Sequence, residues 1–430
     1  MINIDFLYCF ILCLVFAIAN FFKLGMRNKT YVLPSTFFAL MWGLTSLGGF
    51  LYSNLLIGDT EYYARAGYLQ EISSYQLTML IVVFSAFLLA RLRRRKVTVE
   101  LTAEFGSADI VVIRRKMRWI LYMFFAIGMY RIISVVSVTG LDYSAMRAYY
   151  IASRSNFSEF DSNLIRVGSY LSQFAIFYIC ILGMETALRG IRLKKFVREF
   201  LLFIPFQMSF GGRLFILAFF APFIISYLLT YSIAVIRDKE KKIDKKFLFV
   251  LASPLIMLIV VQILKMDEIV NMKTIEAYST EIFYTSSIYI HMNELWNSLP
   301  YDYSLGYGLN CMGIGSSVYN HIIETWKIDH NPASVCVPSM IPQAFLDFGK
   351  IGSLVFFFIV FYVIEDRAIV CLKKLTTKNM LIIILLCQVT YQTVSSSTFD
   401  GLRAFIVGYI CLILFVQMTQ LKIVKNPERY

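Results

Sequence analysis

Charge is the scarcest ingredient of this chain. Only 16% of its 430 residues are Asp, Glu, Lys or Arg, against 58% hydrophobic, whereas soluble domains carry roughly 25% charged and 45–50% apolar residues. With a mean hydropathy of +0.66, that balance excludes water as the only solvent. Histidine is almost missing, with just His291, His321 and His330. Neither a CxxC nor an HExxH spacing occurs, so nothing points to a zinc site. No internal repeat is visible, although a transporter built from repeats would show paired short or glycine-broken segments. The opening MINIDF lacks a positive n-region, and no small-residue cleavage site precedes Lys23. The first apolar run is therefore expected to be a retained helix rather than a cleaved leader.

What the chain does have is a net charge of +13, and its placement decides its meaning. The basic residues gather as Lys23–Lys29, Arg91–Arg118, Arg189–Arg198, Arg237–Lys246, Arg367–Lys378 and Lys422–Arg429, which together hold 30 of the 41 Lys and Arg. Each cluster falls at every second exit from an apolar run, the pattern of the positive-inside rule. A nucleic-acid partner is then not needed to explain the charge. Apolar runs long enough for a spanning helix are placed at about 4–22, 33–53, 76–92, 119–139, 167–187, 197–210, 214–236, 247–265, 342–365, 380–398 and 403–421. The expected fold class is thus an all-α polytopic integral membrane protein with about eleven transmembrane helices. Eight helices with short loops occupy 1–265, a large outer loop occupies 266–341, and three helices fill 342–430. The N-terminus is expected outside and the C-terminus in the cytoplasm of a bacterial-type inner membrane.

The large loop is too long for a connector, and loops of that size usually carry function. Between Asp267 and Met340 it holds eight acidic residues against Lys273 and Lys327, together with all three histidines. Cys311 and Cys336 also lie there, where an oxidising compartment would permit a disulfide; spacing alone leaves that pairing open. Cys9, Cys13, Cys180, Cys387 and Cys411 fall in expected helices as small hydrophobes, and Cys371 is placed in the cytoplasm.

Charges at membrane depth are costly and are kept for a partner or a ligand. Arg213 follows Gly211-Gly212, and the apolar run before it, Phe200 to Phe210, is too short to cross a hydrocarbon core of about 30 Å. This puts Arg213 at or beneath the outer interface, at a helix N-terminus suited to an anion such as phosphate. The plainer reading is an interfacial anchor whose guanidinium snorkels to water. Arg403, after Asp400-Gly401, repeats the arrangement, with Asp400 as its simple neutraliser. Arg131, Arg147, Arg154 and Arg166 belong to the same outer half, where several could face one cavity, although each taken singly is read as a solvated or headgroup contact.

The motifs of the C-terminal half fall in a telling order. GGR precedes an apolar helix; YSLGYGLN (Tyr303 to Asn310) and DHNP (Asp329 to Pro332) lie in the outer loop; FLDFGKIGSLVFF (Phe345 to Phe357) leads into the next helix. Over about 205–365 the chain resembles the O-antigen polymerase and O-antigen ligase group. In that group a small-residue-flanked arginine opens an outer-face helix, and an HN pair precedes a helix reading roughly L-x-x-x-G-x-x-G. The interval from His330 to Gly349 is longer than in the ligases, which favours the polymerase branch. No arginine-x10-glycine repeat accompanies Arg213, since Ile224 stands eleven places on.

The resemblance implies a GT-C-like glycosyltransferase architecture and a periplasmic reaction. A glycan would pass from one undecaprenyl diphosphate to the hydroxyl of another lipid-linked repeat unit, in O-antigen (lipopolysaccharide) biosynthesis. Such chemistry needs the diphosphate held, the leaving charge stabilised and a proton accepted. Arginines suit the first two tasks, and His330 the third, so no metal or cofactor is implied. The expected catalytic residues are His330 and Arg213, with Arg403, Arg147, Arg131 and Asp347 in substrate binding. A plain turn histidine before Asn331-Pro332 is the competing reading of His330; His321, His291, Glu281 and Glu294 are alternative bases. Asp347 is expected to orient the loop or pair with an arginine. Gly306, Gly308, Gly349 and Gly352 are read as permitting turns and close helix contact. Expected partners are undecaprenyl-diphosphate-linked oligosaccharides, membrane lipid and a chain-length regulator protein. The alternatives are an O-antigen ligase, a lipid-linked repeat-unit flippase, or a metal-dependent enzyme using polyisoprenyl monophosphate sugars, for which Asp59 and Glu61 form a poor acidic pair.

Overall fold

The computed structural model describes residues 4–21, 33–51, 66–94, 107–140, 159–208, 214–237, 244–263, 340–373 and 376–393, with single positions at 145, 149, 410 and 413. These residues form ten helices and no strand. They are α1 (Asp5–Phe21), α2 (Pro34–Leu51), α3 (Ala66–Arg93), α4 (Ser107–Thr139), α5 (Glu159–Arg189), α6 (Leu193–Met208), α7 (Leu214–Arg237), α8 (Lys245–Ile263), α9 (Met340–Lys373) and α10 (Thr377–Gln392). Each of the first ten expected spans overlaps one helix. The eleventh, 403–421, and nearly all of the large loop lie outside the described residues, as do Cys311 and Cys336. Two described helical stretches, Ser73–Arg93 and Ile110–Thr139, are long and apolar enough to cross a membrane.

The helix ends depart from the apolar runs in a consistent way. Helix α4 begins at Ser107 rather than near 119, and α9 continues to Lys373 rather than ending near 365. Basic stretches expected as loops are therefore helical turns, and burial of their charges in ion pairs explains why.

The chain divides into two compact units. The first comprises α1, α2, α3, α9 and the later part of α10. In it α1 packs on α2 and α3, and α9 packs on α3 and α2. Phe6, Cys9, Cys13 and Phe16 of α1 are buried, three or four residues apart and so on one face. Phe38 of α2 meets Phe84 and Phe87 of α3 and Phe361 of α9, at ring-centroid distances of 6.0, 5.6 and 4.8 Å. The opposite face of α1 is also apolar, with Tyr8, Ile11, Leu14, Val15 and Ile18 exposed. Helix α1 is thus apolar on both its buried and its exposed face.

One buried ion pair joins all four of these helices. Arg91 of α3 donates through Nε to Glu365 of α9 at 2.9 Å, with side-chain exposures of 5% and 0%. Its other nitrogens reach Asn20 of α1 and Ser35 of α2. Glu365 also accepts from the Ser35 hydroxyl at 2.7 Å and the Ser35 N–H at 3.2 Å. Pro34 opens α2, and the Ser35 N–H behind it has no intrahelical acceptor. The carboxylate of a distant helix thus serves as the cap of α2. Beside it, Arg94 forms a two-pronged pair with Asp366 at 2.7 and 3.0 Å, which holds that carboxyl below the ordinary aspartate range.

The second unit comprises α4 to α8 and the first part of α10. Here α5 packs on α7 and α4, and α4 packs along α6. Phe124 of α4 lies against Phe203 and Phe206 of α6, with ring centroids 5.3 and 4.0 Å away. A Cβ placed on Gly128 would sit 2.2 Å from the Phe206 nitrogen, so the two backbones touch where only glycine fits. At the other end of this pair, Glu199 of α6 is fully buried among Arg198, Arg114 and Arg118, at 2.7, 3.5 and 3.5 Å. The Tyr178 hydroxyl donates to it at 2.8 Å. Arg114 also pairs with Glu185, and Lys195 pairs with Glu185 from the other side.

Asp244 shows how the turn after α5 is held. Its Oδ1 accepts the Lys246 N–H at 3.0 Å, capping α8, and its Oδ2 accepts the Ile191 N–H at 3.0 Å. The Ile191 bond chiefly holds the Asp244 carboxyl below its usual range. A depressed folded value means the bond is fully present above the unfolded pKa, about 3.9, and is lost as pH falls through the lower folded value. Asp244→Ala should cost about 1 kcal/mol, the usual worth of an N-cap. Thermal melts from neutral pH down to the acid limit should show the wild-type advantage shrinking only at the acid end.

Candidate functional site

Of the expected site residues, two lie among the described ones. His330, Arg213, Arg403 and Arg147 fall outside them, as do His291, His321, Glu281 and Glu294.

Asp347 is fully buried and stands in a helix, inside the span expected over 342–365. It belongs to the opening segment of α9, which breaks at Gly349 with φ 67° and ψ −175°. That backbone region is essentially restricted to glycine, so FLDFG encodes a bend and Gly349 is its pivot. The expectation of a glycine turn there is met, although the run around 342–365 is bent rather than straight. Ahead of the bend, Phe345 packs edge-on against Tyr75 of α3 at 4.6 Å. Beyond it, Ser353 shares a hydrogen bond of 2.7 Å with the Tyr75 hydroxyl. Tyr75 therefore grips α9 on both sides of its pivot.

Further polar groups collect at this end of the first unit. Gln76 donates to Ser46 at 2.9 Å, while its own Oε1 is buried without a hydrogen-bond partner. The Trp42 indole donates to Thr393 at 2.9 Å, and the Met340 N–H donates to the Thr393 carbonyl at 3.0 Å. The first N–H of α9 is thus satisfied by the chain just past α10. Asp5 accepts from Ser73 and Ser74. Of these groups, the Tyr75 hydroxyl and the Thr393 carbonyl bond α9 directly, while Asp5, Gln76 and Ser46 pair among α1, α2 and α3.

Arg131 is buried in α4 at 7% exposure, rather than exposed as a simple headgroup contact would be. It lies one turn beyond Gly128, where α4 meets the α6 backbone. Asp347 and Arg131 belong to different units, and each is placed only within its own.

Sequence reading missed the two buried ion-pair clusters. Arg91, Arg114, Lys195 and Arg198 were counted as sidedness markers, and Glu185, Glu199 and Glu365 were not singled out. The available signal was carboxylates inside basic, helix-flanking stretches, since an acid at such a place needs a partner. These clusters are structural in chemistry, because each buried carboxylate is already engaged by guanidinium groups. Among the described residues, no three His, Cys, Asp or Glu side chains gather as a metal site. Compared with known proteins, the chain matches no family model, no curated protein and no solved structure.

Proposed function

We propose that the chain is a polytopic protein of a bacterial inner membrane that polymerises oligosaccharide repeat units carried on undecaprenyl diphosphate, acting on the outer face. The observation that carries this reading is Gly211-Gly212-Arg213, an arginine behind two glycines that follows a short apolar run, Phe200 to Phe210. From Arg198, in the basic inner cluster, to Met208, where α6 ends, the rise is about 15 Å, half of a hydrocarbon core of about 30 Å. The next described helix starts at Leu214; Arg213 lies just ahead of it, outside the described residues, and the sequence puts it at or beneath the outer interface. A glycine-flanked arginine kept at that depth suits a charged ligand, and a diphosphate is one that its guanidinium would fit.

The membrane placement is supported by the all-round apolar helices and by the basic ends of α3, α4 and α6. The polymerase reading is supported by the order of motifs from GGR through DHNP to FLDFG, and by the hydroxyl-rich surroundings of the Gly349 bend. In this reading Arg213 binds the donor diphosphate and stabilises the leaving charge, and His330 accepts the acceptor proton. Removing one such donor typically costs 10²–10³ in rate.

The test is complementation in a deletion strain of the host. Arg213→Ala, present in the membrane at the wild-type level, is expected to leave lipid A-core bearing one repeat in place of long glycan chains. Restoration of full chain length would overturn the assignment of Arg213. Loss of all surface glycan would instead indicate the ligase or flippase.

A further inference from the structure

The second unit carries an apolar groove between α4 and α6, about 660 Å³ in volume. Pockets that hold small ligands measure about 300–1,000 Å³. Its walls are Phe125 of α4 and Leu193, Val197, Leu201 and Leu202 of α6, with Lys194 and Arg198 on the earlier part of the same α6 stretch. The two helices run parallel: Arg114 and Arg118 lie beside Glu199, whereas Phe124 lies beside Phe203 and Phe206. The groove is therefore apolar along its length, with the two cations Lys194 and Arg198 towards the end at which both helices carry their basic residues.

The charged residues that line the groove are Lys194 and Arg198, both cations, and they adjoin an ion-pair cluster in which cations outnumber carboxylates. The described carboxylates Glu185 and Glu199 face Arg114, Arg118, Lys195 and Arg198. Lys194 adds a further exposed cation. Arg198 shares Glu199 with two other guanidiniums and keeps its side chain 52% exposed. Arg118, on the α4 face two turns before Phe125, holds a buried Nε with no hydrogen-bond partner. An occupant should bring negative charge to this end and a hydrocarbon chain to the other.

We infer that the groove binds an anionic phospholipid, its acyl chain against Val197, Leu201 and Phe125 and its phosphate between Lys194 and Arg198. The inference rests on the membrane reading but is independent of the polymerase chemistry. Anionic lipids attract basic residues at a membrane surface, and long basic side chains extend towards headgroups while covering apolar surface with their stems. The charges shared across Glu199 leave Arg198 with guanidinium nitrogens to offer.

The experiment uses the purified full chain in neutral detergent, exposed to equal amounts of phosphatidylglycerol and phosphatidylcholine, with retained lipid counted by native mass spectrometry. Wild type should retain the anionic lipid about tenfold over the zwitterionic one, an effect within reach of two cations near a surface. Lys194→Gln with Arg198→Gln should bring the ratio close to one, and Val197→Gln with Leu201→Gln should lower retention of both lipids. All four side chains are exposed, so these variants are expected to fold. An unchanged ratio in the lysine and arginine variant would overturn the inference. Displacement of the lipid by millimolar inorganic phosphate alone would also overturn it, making the site one for free phosphate. A chain that does not partition into phosphatidylglycerol vesicles would overturn the membrane reading as well, which separates the two failures.

Discussion

Glu365→Ala is expected to lower the stability of the first unit by about 3–5 kcal/mol, the usual cost of stranding one member of a buried ion pair. Three losses coincide. Arg91 keeps only 5% of its side chain exposed, so its charge has no route to water. The Ser35 N–H and hydroxyl lose their acceptor, which uncaps α2. The junction of α1, α2, α3 and α9 then rests on the Asn20 and Ser35 contacts and on the Arg91 cation over the Phe16 ring at 5.5 Å. Pairing Glu365→Leu with Arg91→Met removes both charges together, and such replacements are often neutral or stabilising. Thermal unfolding of the purified protein in detergent should therefore show a large drop for the single variant and recovery in the double one. Additive losses in that cycle would show that the two residues act separately.

Glu199→Ala is the second large effect, expected at about 3 kcal/mol, and its origin is more specific. Arg114 keeps Glu185 as a partner, and Arg198 is exposed enough to turn to solvent. Arg118 loses the carboxylate it meets, and its Nε already lacks a partner, so it keeps only its hydrogen bond with Tyr178 and a side chain 24% exposed. Tyr178 also loses the acceptor for its hydroxyl proton. Glu199→Gln keeps a carbonyl for Tyr178 and should cost visibly less in the same melt. Equal losses for alanine and glutamine would place the stabilisation in charge alone.

These effects explain which parts of the fold could be read from the sequence. Apolar runs of about twenty residues revealed the helices, because a helix pairs all its backbone groups within one segment. They did not reveal the ends. The runs at Arg114–Arg118 and at Glu365–Arg367 look like loop composition, yet ion pairing across helices lets those charges continue α4 and α9. Lysines and arginines served as sidedness markers, and that use hid Arg91 and Arg114 as the partners of Glu365, Glu185 and Glu199. The bend at Gly349 was visible as a glycine in FLDFG, whereas the contact of Gly128 with Phe206 depends on two segments far apart in sequence. Burial of Arg131 has the same origin, since it lies one turn past that contact. Of the candidate site, Asp347 was legible as a residue of interest, but its setting beside the Tyr75 and Ser353 clasp was not.

The central claim is tested most directly by reconstituting the purified full chain into lipid vesicles with undecaprenyl-diphosphate-linked repeat units and separating the lipid-linked products by length. A ladder of progressively longer glycans is predicted, dependent on the protein and lost with Arg213→Ala. Products confined to one repeat, from protein that is inserted and unfolds cooperatively on heating, would contradict the polymerase account.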